Sequence, residues 1–370
     1  MPAAFLRHRS TRTALTLLLA LGAAALCVRL GTPIPWMIGP LLATALVSLA
    51  GVPVHSANAL RNAGQWTIGG ALGLYFTPEV TALVLGLWWA VLLGVAWALA
   101  LGLGFGAWLQ RALGGQLRGM SAHQRRATTY FAGAVGGASE MTLLAERNGA
   151  RTDLVAAAHS VRVVVVVLSI PFALQWAKQH WQLQALDMTP PGPRVAEWPG
   201  LLWLVLATGV GAALMRLTGR ANPWFIGALL AAMALTMAGL HLSAVPTALT
   251  NAAQLVIGVS LGVRFSRGFL RQAPRWLLAA ALGTLGMIVV CALFAVALAW
   301  ATGIHPVTLM LATSPGGITE MAITAKVLQL GVPVVTAFQV CRLVAVLLLA
   351  EPLFRWWAAR QGERQTGEKR

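Results

Sequence analysis

Two glutamates stand inside apolar stretches of the sequence, each beside a pair of glycines. Glu140 belongs to GGASEM at 136–141, and Glu320 belongs to GGITEM at 316–321. An ionisable group in a membrane segment costs about 2.5–3.5 kcal/mol on insertion scales and usually survives only with a partner or a role. We therefore predict that both glutamates belong to an ion, proton or substrate site. The alternative is that each glutamate only caps a broken helix.

The residues around the two motifs could bind a negatively charged ligand. Backbone N–H groups at the start of a helix that follows a glycine pair favour an anion, and nearby hydroxyl groups add donors. Each residue is a weak signal by itself, because Ser and Thr also cap ordinary helices. The candidates of this kind are Ser139, Thr319, Gly136, Gly137, Gly316, Gly317, Thr313 and Ser314.

Two arginines, Arg162 and Arg342, each lie about one third of the way into an apolar segment. An arginine buried there should pair with a carboxylate. The guanidinium could clamp a carboxylate of the ligand, whose geometry its fork matches. It could equally form an ion pair with the glutamate of its own motif. The sequence leaves both interpretations open.

Four amide side chains lie on two matching helical stripes with glycines at spacings of three and four residues. Small residues at such spacings let membrane helices approach closely, and amides form hydrogen bonds across the contact. Helix packing is therefore favoured over ligand contact for these amides, which are Asn62, Gln65, Asn251 and Gln254.

His159 lies three residues before Arg162, on the same helical face, and Gln339 takes the equivalent position before Arg342. A metal role for His159 would therefore be asymmetric. The other histidines have no HxxxH or HExxH spacing, the three cysteines form no CxxC, and neither a Walker lysine nor a nucleophile elbow is present. We expect no metal, no cofactor and no enzymatic activity.

The composition predicts an all-α polytopic membrane protein. The chain is 58% hydrophobic and 10% charged, and its apolar runs reach the roughly twenty residues that cross a bilayer core. The net charge of +17 is spread over short clusters between these runs, which is typical of cytoplasmic loops. The expected partners are the lipid bilayer and a small solute, with no direct nucleic acid; a homodimer is left open.

The chain is a duplicated unit. NAGQWTIGGALGLYF at 62–76 matches NAAQLVIGVSLGVRF at 251–265, and every motif recurs in the same order at a nearly constant separation. Basic loops follow the fourth apolar segment in the first half, at 111–126, but the third in the second half, at 264–275. Matching loops would then lie on opposite sides of the membrane, which predicts an inverted repeat.

Inversion requires an odd number of crossings, yet each half has six apolar segments. We predict that 127–146 and 307–326 are re-entrant hairpins, because glycine pairs interrupt helices. The result is about ten transmembrane helices plus two hairpins. The predicted parts are a first membrane repeat at 12–177, an external linker at 178–197, a second membrane repeat at 198–357 and a disordered basic tail at 358–370. Both termini are predicted to be cytoplasmic, and the first apolar run to be a transmembrane helix rather than a signal peptide.

The duplicated unit with PWMIGPLLA, the NAGQ segment, GGASEM and the HSVR helix resembles the Gram-negative AbrB duplication family of inner-membrane proteins, over about 12–357. The resemblance implies a location in the bacterial inner (plasma) membrane. Members carry two labels, AbrB family transcriptional regulator and ammonia monooxygenase. Neither label agrees with the residues at the level of mechanism, because the chain has no soluble stretch long enough for a DNA-binding domain and no metal or cofactor motif.

The residues favour a secondary transporter of a small solute, an organic anion or an acid-coupled metabolite, that works by alternating access. Coupling to protons or sodium is predicted to involve Glu140 or Glu320. One alternative is a membrane-bound regulatory protein that affects gene expression indirectly. A membrane monooxygenase is a third and less favoured interpretation.

Overall fold

The computed structural model describes residues 9–113, 117, 119–180, 195–219, 222–240, 242–265, 268 and 273–367, without the side chains of Ser139, Lys178 and residues 359–367. All regular structure in these residues is helical. The fifteen helices of this part are α1 (Arg9–Arg29), α2 (Pro35–Leu49), α3 (Asn58–Gly73), α4 (Pro78–Gly86), α5 (Trp88–Ala112), α6 (Ala122–Gly133), α7 (Ala138–Arg147), α8 (Thr152–His180), α9 (Trp198–Leu217), α10 (Pro223–Met237), α11 (Thr247–Gly262), α12 (Pro274–Thr302), α13 (Pro306–Thr313), α14 (Ile318–Leu328) and α15 (Val332–Gly367).

Six of the described helices are long and apolar enough to cross a membrane, with spanning stretches of 20 to 29 residues: α1, α5, α8, α9, α12 and α15. The predicted helical membrane protein is confirmed. Three apolar helices, α2, α10 and α11, have only 15 or 16 residues, which is about 22–24 Å at 1.5 Å per residue. Because a bilayer core is roughly 30 Å thick, the full set of ten spans stays a prediction.

Both motif segments are broken at their glycines. The first ends as helix α6 at Gly133 and resumes as α7 at Ala138; the second ends as α13 at Thr313 and resumes as α14 at Ile318. The residues that follow α6 and α13 have extended ψ angles of 132° and 151°, so the backbone leaves the helical path abruptly. The helices therefore break where the glycine pairs indicate, and the re-entrant path through a membrane stays a prediction.

The chain forms two compact units that do not coincide with the predicted repeats. Unit one consists of residues 1–87, 167–271 and 319–336, and unit two of residues 88–166, 272–318 and 337–370. Each unit therefore takes segments from both halves of the sequence. The predicted boundaries at 177 and 198 separate the two copies in the sequence. The compact units differ from the copies because segments of one copy pack against segments of the other.

Equivalent glycines make equivalent helix contacts within unit one. A Cβ atom on Gly69 of α3 would overlap the carbonyl oxygen of Phe225 in α10, and one on Gly258 of α11 would overlap that of Met37 in α2. Phe225 and Met37 each follow the Trp of the repeated Pro-Trp pair. The α3 helix thus packs backbone to backbone on α10 as α11 does on α2, which is the close packing that the small-residue stripes predict.

Two helices extend beyond their predicted ends. The α8 helix continues to His180, three residues into the predicted linker, and 181–194 lie outside the described residues. The α15 helix continues to Gly367, whereas the sequence predicted a disordered tail from 358. That tail contains Ala, Arg, Gln and Glu, all good helix formers, and it directly continues a long helix.

The substitution Gly69→Ala is expected to destabilise the protein by about 1–3 kcal/mol, because the new methyl group overlaps a backbone carbonyl that cannot rotate away. Thermal unfolding in detergent measures the change. Gly22→Ala in α1 is the matched control, since its Cβ atom would meet nothing within 4 Å. Equal melting temperatures for the two variants would contradict the α3–α10 contact.

Candidate functional site

The first GGxxEM motif lies in unit two, where its two glycines make room for the two side chains at its end. A Cβ atom on Gly136 would lie 2.8 Å from Cε of Met141, and one on Gly137 would overlap the carboxylate of Glu140. The glutamate side chain therefore folds back over the Cα atom of Gly137. The spacing of the motif follows from this local packing, because any side chain at 136 or 137 would displace Met141 or Glu140.

Glu140 lies at the positive end of a helix dipole. Gly137 is the N-cap of α7 and provides no side-chain cap, and Glu140 is in the first turn. An acidic group is stabilised there, and a glutamate three residues after the N-cap is the second half of a capping box. The half-buried carboxylate thus has the placement expected of the capping alternative; its role toward a ligand stays a prediction.

Arg162 holds the backbone at the break between α6 and α7. Its Nη1 donates to the carbonyl oxygens of Ala134 at 3.0 Å and Gly133 at 3.4 Å, and its Nη2 donates to Gly136 at 3.2 Å and to Nδ1 of His159 at 2.7 Å. The sequence predicted a carboxylate as its partner. The structure instead places it on carbonyl groups that lose their intrahelical donors where the helix ends.

Arg342 makes the corresponding contacts at the break between α13 and α14. Its Nη1 donates to the carbonyl oxygen of Ser314 at 2.5 Å, and its Nη2 donates to that of Gly316 at 2.6 Å. Ser314 and Gly316 are the counterparts, in the second copy, of Ala134 and Gly136. Both arginines are buried. The two breaks are therefore stabilised in the same way.

His159 and Gln339 perform the same task with different chemistry. His159 Nε2 donates to the carbonyl oxygen of Phe131 at 2.9 Å, and Gln339 Nε2 donates to that of Leu311 at 2.8 Å. Since His159 Nδ1 accepts from Arg162, this geometry requires a neutral imidazole with its proton on Nε2. Sequence reasoning did not include Gln339 among the site residues; its position as the counterpart of His159 in the repeat was the available signal.

Positive charge accumulates at the two breaks of unit two. Arg162 and Arg342 each bring a buried positive charge to one of the breaks, and the N-terminus of α7 adds the positive end of a helix dipole. Glu140 contributes negative charge to the same unit. Such an arrangement can stabilise an anion. Among the described residues, no group of three or more His, Cys, Asp and Glu side chains could hold a metal ion.

Glu320 and Thr319 belong to unit one, in the first turn of α14. Both are buried, and the carbonyl oxygen of Glu320 accepts a hydrogen bond from Thr324 Oγ1 at 2.7 Å.

The hydroxyl groups proposed as donors near the second motif make hydrogen bonds within their own segment. Thr313 Oγ1 donates to Leu309 O at 2.8 Å, and Ser314 Oγ donates to Leu311 O at 3.1 Å. Gly317 is partly buried. The predicted donor Ser139 lies outside the described side chains.

The four predicted amides all lie in unit one. Gln65 Nε2 donates to Asn222 Oδ1 at 3.4 Å, and Gln254 is buried in α11. Asn62 and Asn251 occupy the equivalent half-buried positions of α3 and α11. The structure thus groups these amides with the packed helices α3, α10 and α11 of unit one.

The substitution His159→Gln is expected to keep near wild-type stability, because glutamine makes the equivalent bond at 339. His159→Leu is expected to lose about 1–3 kcal/mol, since the buried carbonyl of Phe131 would lose its donor. Thermal unfolding of both variants in detergent tests this. The assignment fails if leucine is tolerated as well as glutamine.

Comparison with known proteins identifies the family. A family model described as transition state regulatory protein AbrB matches residues 36–358. The chain is 28% identical over 250 residues to "Uncharacterized protein YhjN" of Bacillus subtilis (strain 168), which covers 64% of this chain and 65% of that protein. It is 26% identical over 346 residues to "Putative regulator AbrB" of Escherichia coli (strain K12), which covers 92% and 94%. The chain spans just under two thirds of the first relative and nearly all of the second. It belongs to the AbrB family.

Proposed function

We propose that this protein is a secondary transporter that moves a small organic anion by alternating access. The observation that supports this most is the pair of broken helices whose free carbonyls are held by Arg162 and Arg342. Non-helical backbone at membrane depth is tolerated where protein or a water-filled cavity covers it. Transporters use the N-termini of such half-helices to bind anionic groups.

The proposed topology is an inverted repeat in a bacterial inner membrane, with ten spans, two hairpins and both termini in the cytoplasm. The positions of the basic loops support the inversion, and the repeated contacts support the duplication. The basic loops at 111–126 and 264–275 follow different segments of the two copies. The contacts of Gly69 and Gly258, and those of Arg162 and Arg342, are repeated in equivalent positions.

The arginines are proposed as positioning residues rather than as the anion clamp. Nη1 and Nη2 of Arg162 are engaged with three carbonyls and His159. Within the described part of the chain its buried Nε has no hydrogen-bond partner. An anionic ligand would therefore be attracted by the guanidinium charge and would accept hydrogen bonds from the N–H groups at the start of α7. The guanidinium groups of Arg162 and Arg342 would meanwhile hold the broken backbone in place.

Glu140 is proposed to couple anion binding to a cation. Its carboxylate occupies the start of α7, where a ligand carboxylate would also be stabilised. Two carboxylates at one helix start repel each other, so an anion binds more tightly once Glu140 takes up a proton or pairs with sodium. Anion and cation would then move in the same direction. Glu320 has the corresponding place in the second copy.

Uptake by proteoliposomes tests this function. We expect the wild-type protein to accumulate one member of a panel of radiolabelled mono- and dicarboxylates when a proton or sodium gradient is imposed. Glu140→Gln should uncouple uptake from the gradient, because the amide carries no charge to neutralise. Glu146→Gln is the matched control, since Glu146 is exposed at the other end of α7.

Two outcomes would contradict the proposal. One is that neither Glu140→Gln nor Glu320→Gln alters gradient-driven uptake of any transported anion. The other is that the protein transports no member of the panel under any gradient.

A membrane-bound regulator is the second candidate, favoured by the family description and by the name of the Escherichia coli relative. In that case the phenotype depends on the basic loop that holds Arg264 and Arg275, together with Arg267 and Arg271, which lie outside the described residues. Replacing these four arginines by glutamine should then abolish changes in gene expression, while Glu140→Gln and Glu320→Gln should have no effect. Transcript profiling beside the uptake assay separates this candidate from the transporter.

A further inference from the structure

An open groove of about 450 Å³ runs between α5 and α12, both in unit two. Phe105 and Met287 form its buried floor, and exposed Trp108 and Leu282 form part of its rim. The groove is wide because small residues line it. On Gly104 of α5 and on Gly286 of α12 a Cβ atom would meet nothing within 4 Å.

The dimensions of the groove suit one hydrocarbon chain. Both helices are apolar enough to cross a membrane, so we expect the groove to face hydrocarbon rather than water. Its lining on α5 extends from Trp97 to Trp108, a rise of about 16 Å at 1.5 Å per residue. That is about half of a bilayer core of roughly 30 Å, which is the depth that one leaflet provides for an acyl chain.

Two arginines lie on the same two helices, beyond one end of the groove lining. The helices are antiparallel, because Trp97 stacks on Phe294 whereas Gly283 lies against Trp108. The last turn of α5 and the first turn of α12 are therefore at the same end.

The first of these turns contains Arg111 and the second contains Arg275, and both side chains are exposed. Arg111 continues the helical stripe of Gly104 and Trp108, and Arg275 continues that of Leu282. A guanidinium group can donate two parallel hydrogen bonds to two oxygens of one phosphate. Long side chains at helix ends reach the headgroup region.

We propose that this groove binds one acyl chain of an anionic phospholipid, whose headgroup phosphate lies on Arg111 and Arg275. The positive charge of the two arginines favours an anionic lipid, rather than a second copy of the chain, as the occupant of the groove. In a dimer with a two-fold axis normal to the membrane, the same end of each groove would meet its copy. The four arginines near those ends would then repel one another. An anionic lipid instead neutralises the pair. The inference stands independently of the transported solute.

Reconstitution in nanodiscs tests the proposal. The melting temperature of the wild-type protein is expected to rise when phosphatidylglycerol replaces part of the phosphatidylcholine. The double variant Arg111→Gln/Arg275→Gln should lose most of that rise. Arg216→Gln, an exposed arginine in the last turn of α9, is the control and should keep it. Melting in phosphatidylcholine alone reports whether each variant folds.

A second double variant fills the groove itself. Gly104→Leu/Gly286→Leu should lose the lipid that remains bound to the purified protein in native mass spectrometry, whereas Gly22→Leu, also in open space, should keep it. The proposal is overturned if the arginine variant responds to phosphatidylglycerol as the wild type does, or if the leucine variant retains its lipid. It is equally overturned if the wild type is a dimer that the leucine variant converts to a monomer.

Discussion

The hydrogen bonds from Arg162 and Arg342 to backbone carbonyls are the interaction on which the rest of unit two depends. A helix that stops inside an apolar protein leaves carbonyl oxygens without donors, and each costs free energy comparable to a lost hydrogen bond. Each guanidinium donates to the carbonyl of the first residue after the half-helix, Ala134 or Ser314, and to that of the first motif glycine, Gly136 or Gly316. The positive charge also compensates the negative end of the dipole of α6 or α13. Without these bonds, an abrupt break would be much less stable than a continuous helix.

The same hydrogen bonds decide which helix ends at the breaks are neutralised by a charged side chain of the protein. The C-terminal ends of the first half-helices are neutralised from within the protein, whereas the start of α7 is left with Glu140 as its internal anion. The proposed anion site is therefore the start of α7, where a ligand carboxylate would take the place of Glu140. Glycines bring helix backbones together in both units, at α3–α10 and α2–α11 in unit one and between α5 and α6 in unit two.

The sequence predicted the breaks but not what stabilises them. Glycine pairs in an apolar segment indicate an interruption, and the internal repeat indicates that it occurs twice. The sequence could not show that Arg162 contacts backbone carbonyls. Every residue has a carbonyl oxygen, and these oxygens become available to a side chain only where the helix ends. For the same reason, Gln339 was not predicted to be a site residue, although His159 and Gln339 donate to equivalent carbonyls. The two compact units were also unpredictable, since pairing between the copies does not follow from their order in the chain.

Site-directed labelling can show whether the start of α7 binds an anion. A single cysteine at Ala138, in a variant whose three native cysteines are replaced, would report on this position through its rate of reaction with a maleimide. We expect a transported anion to slow this reaction in proportion to its occupancy, and an anion that is not transported to have no effect. An unchanged rate at anion concentrations that saturate uptake would contradict it.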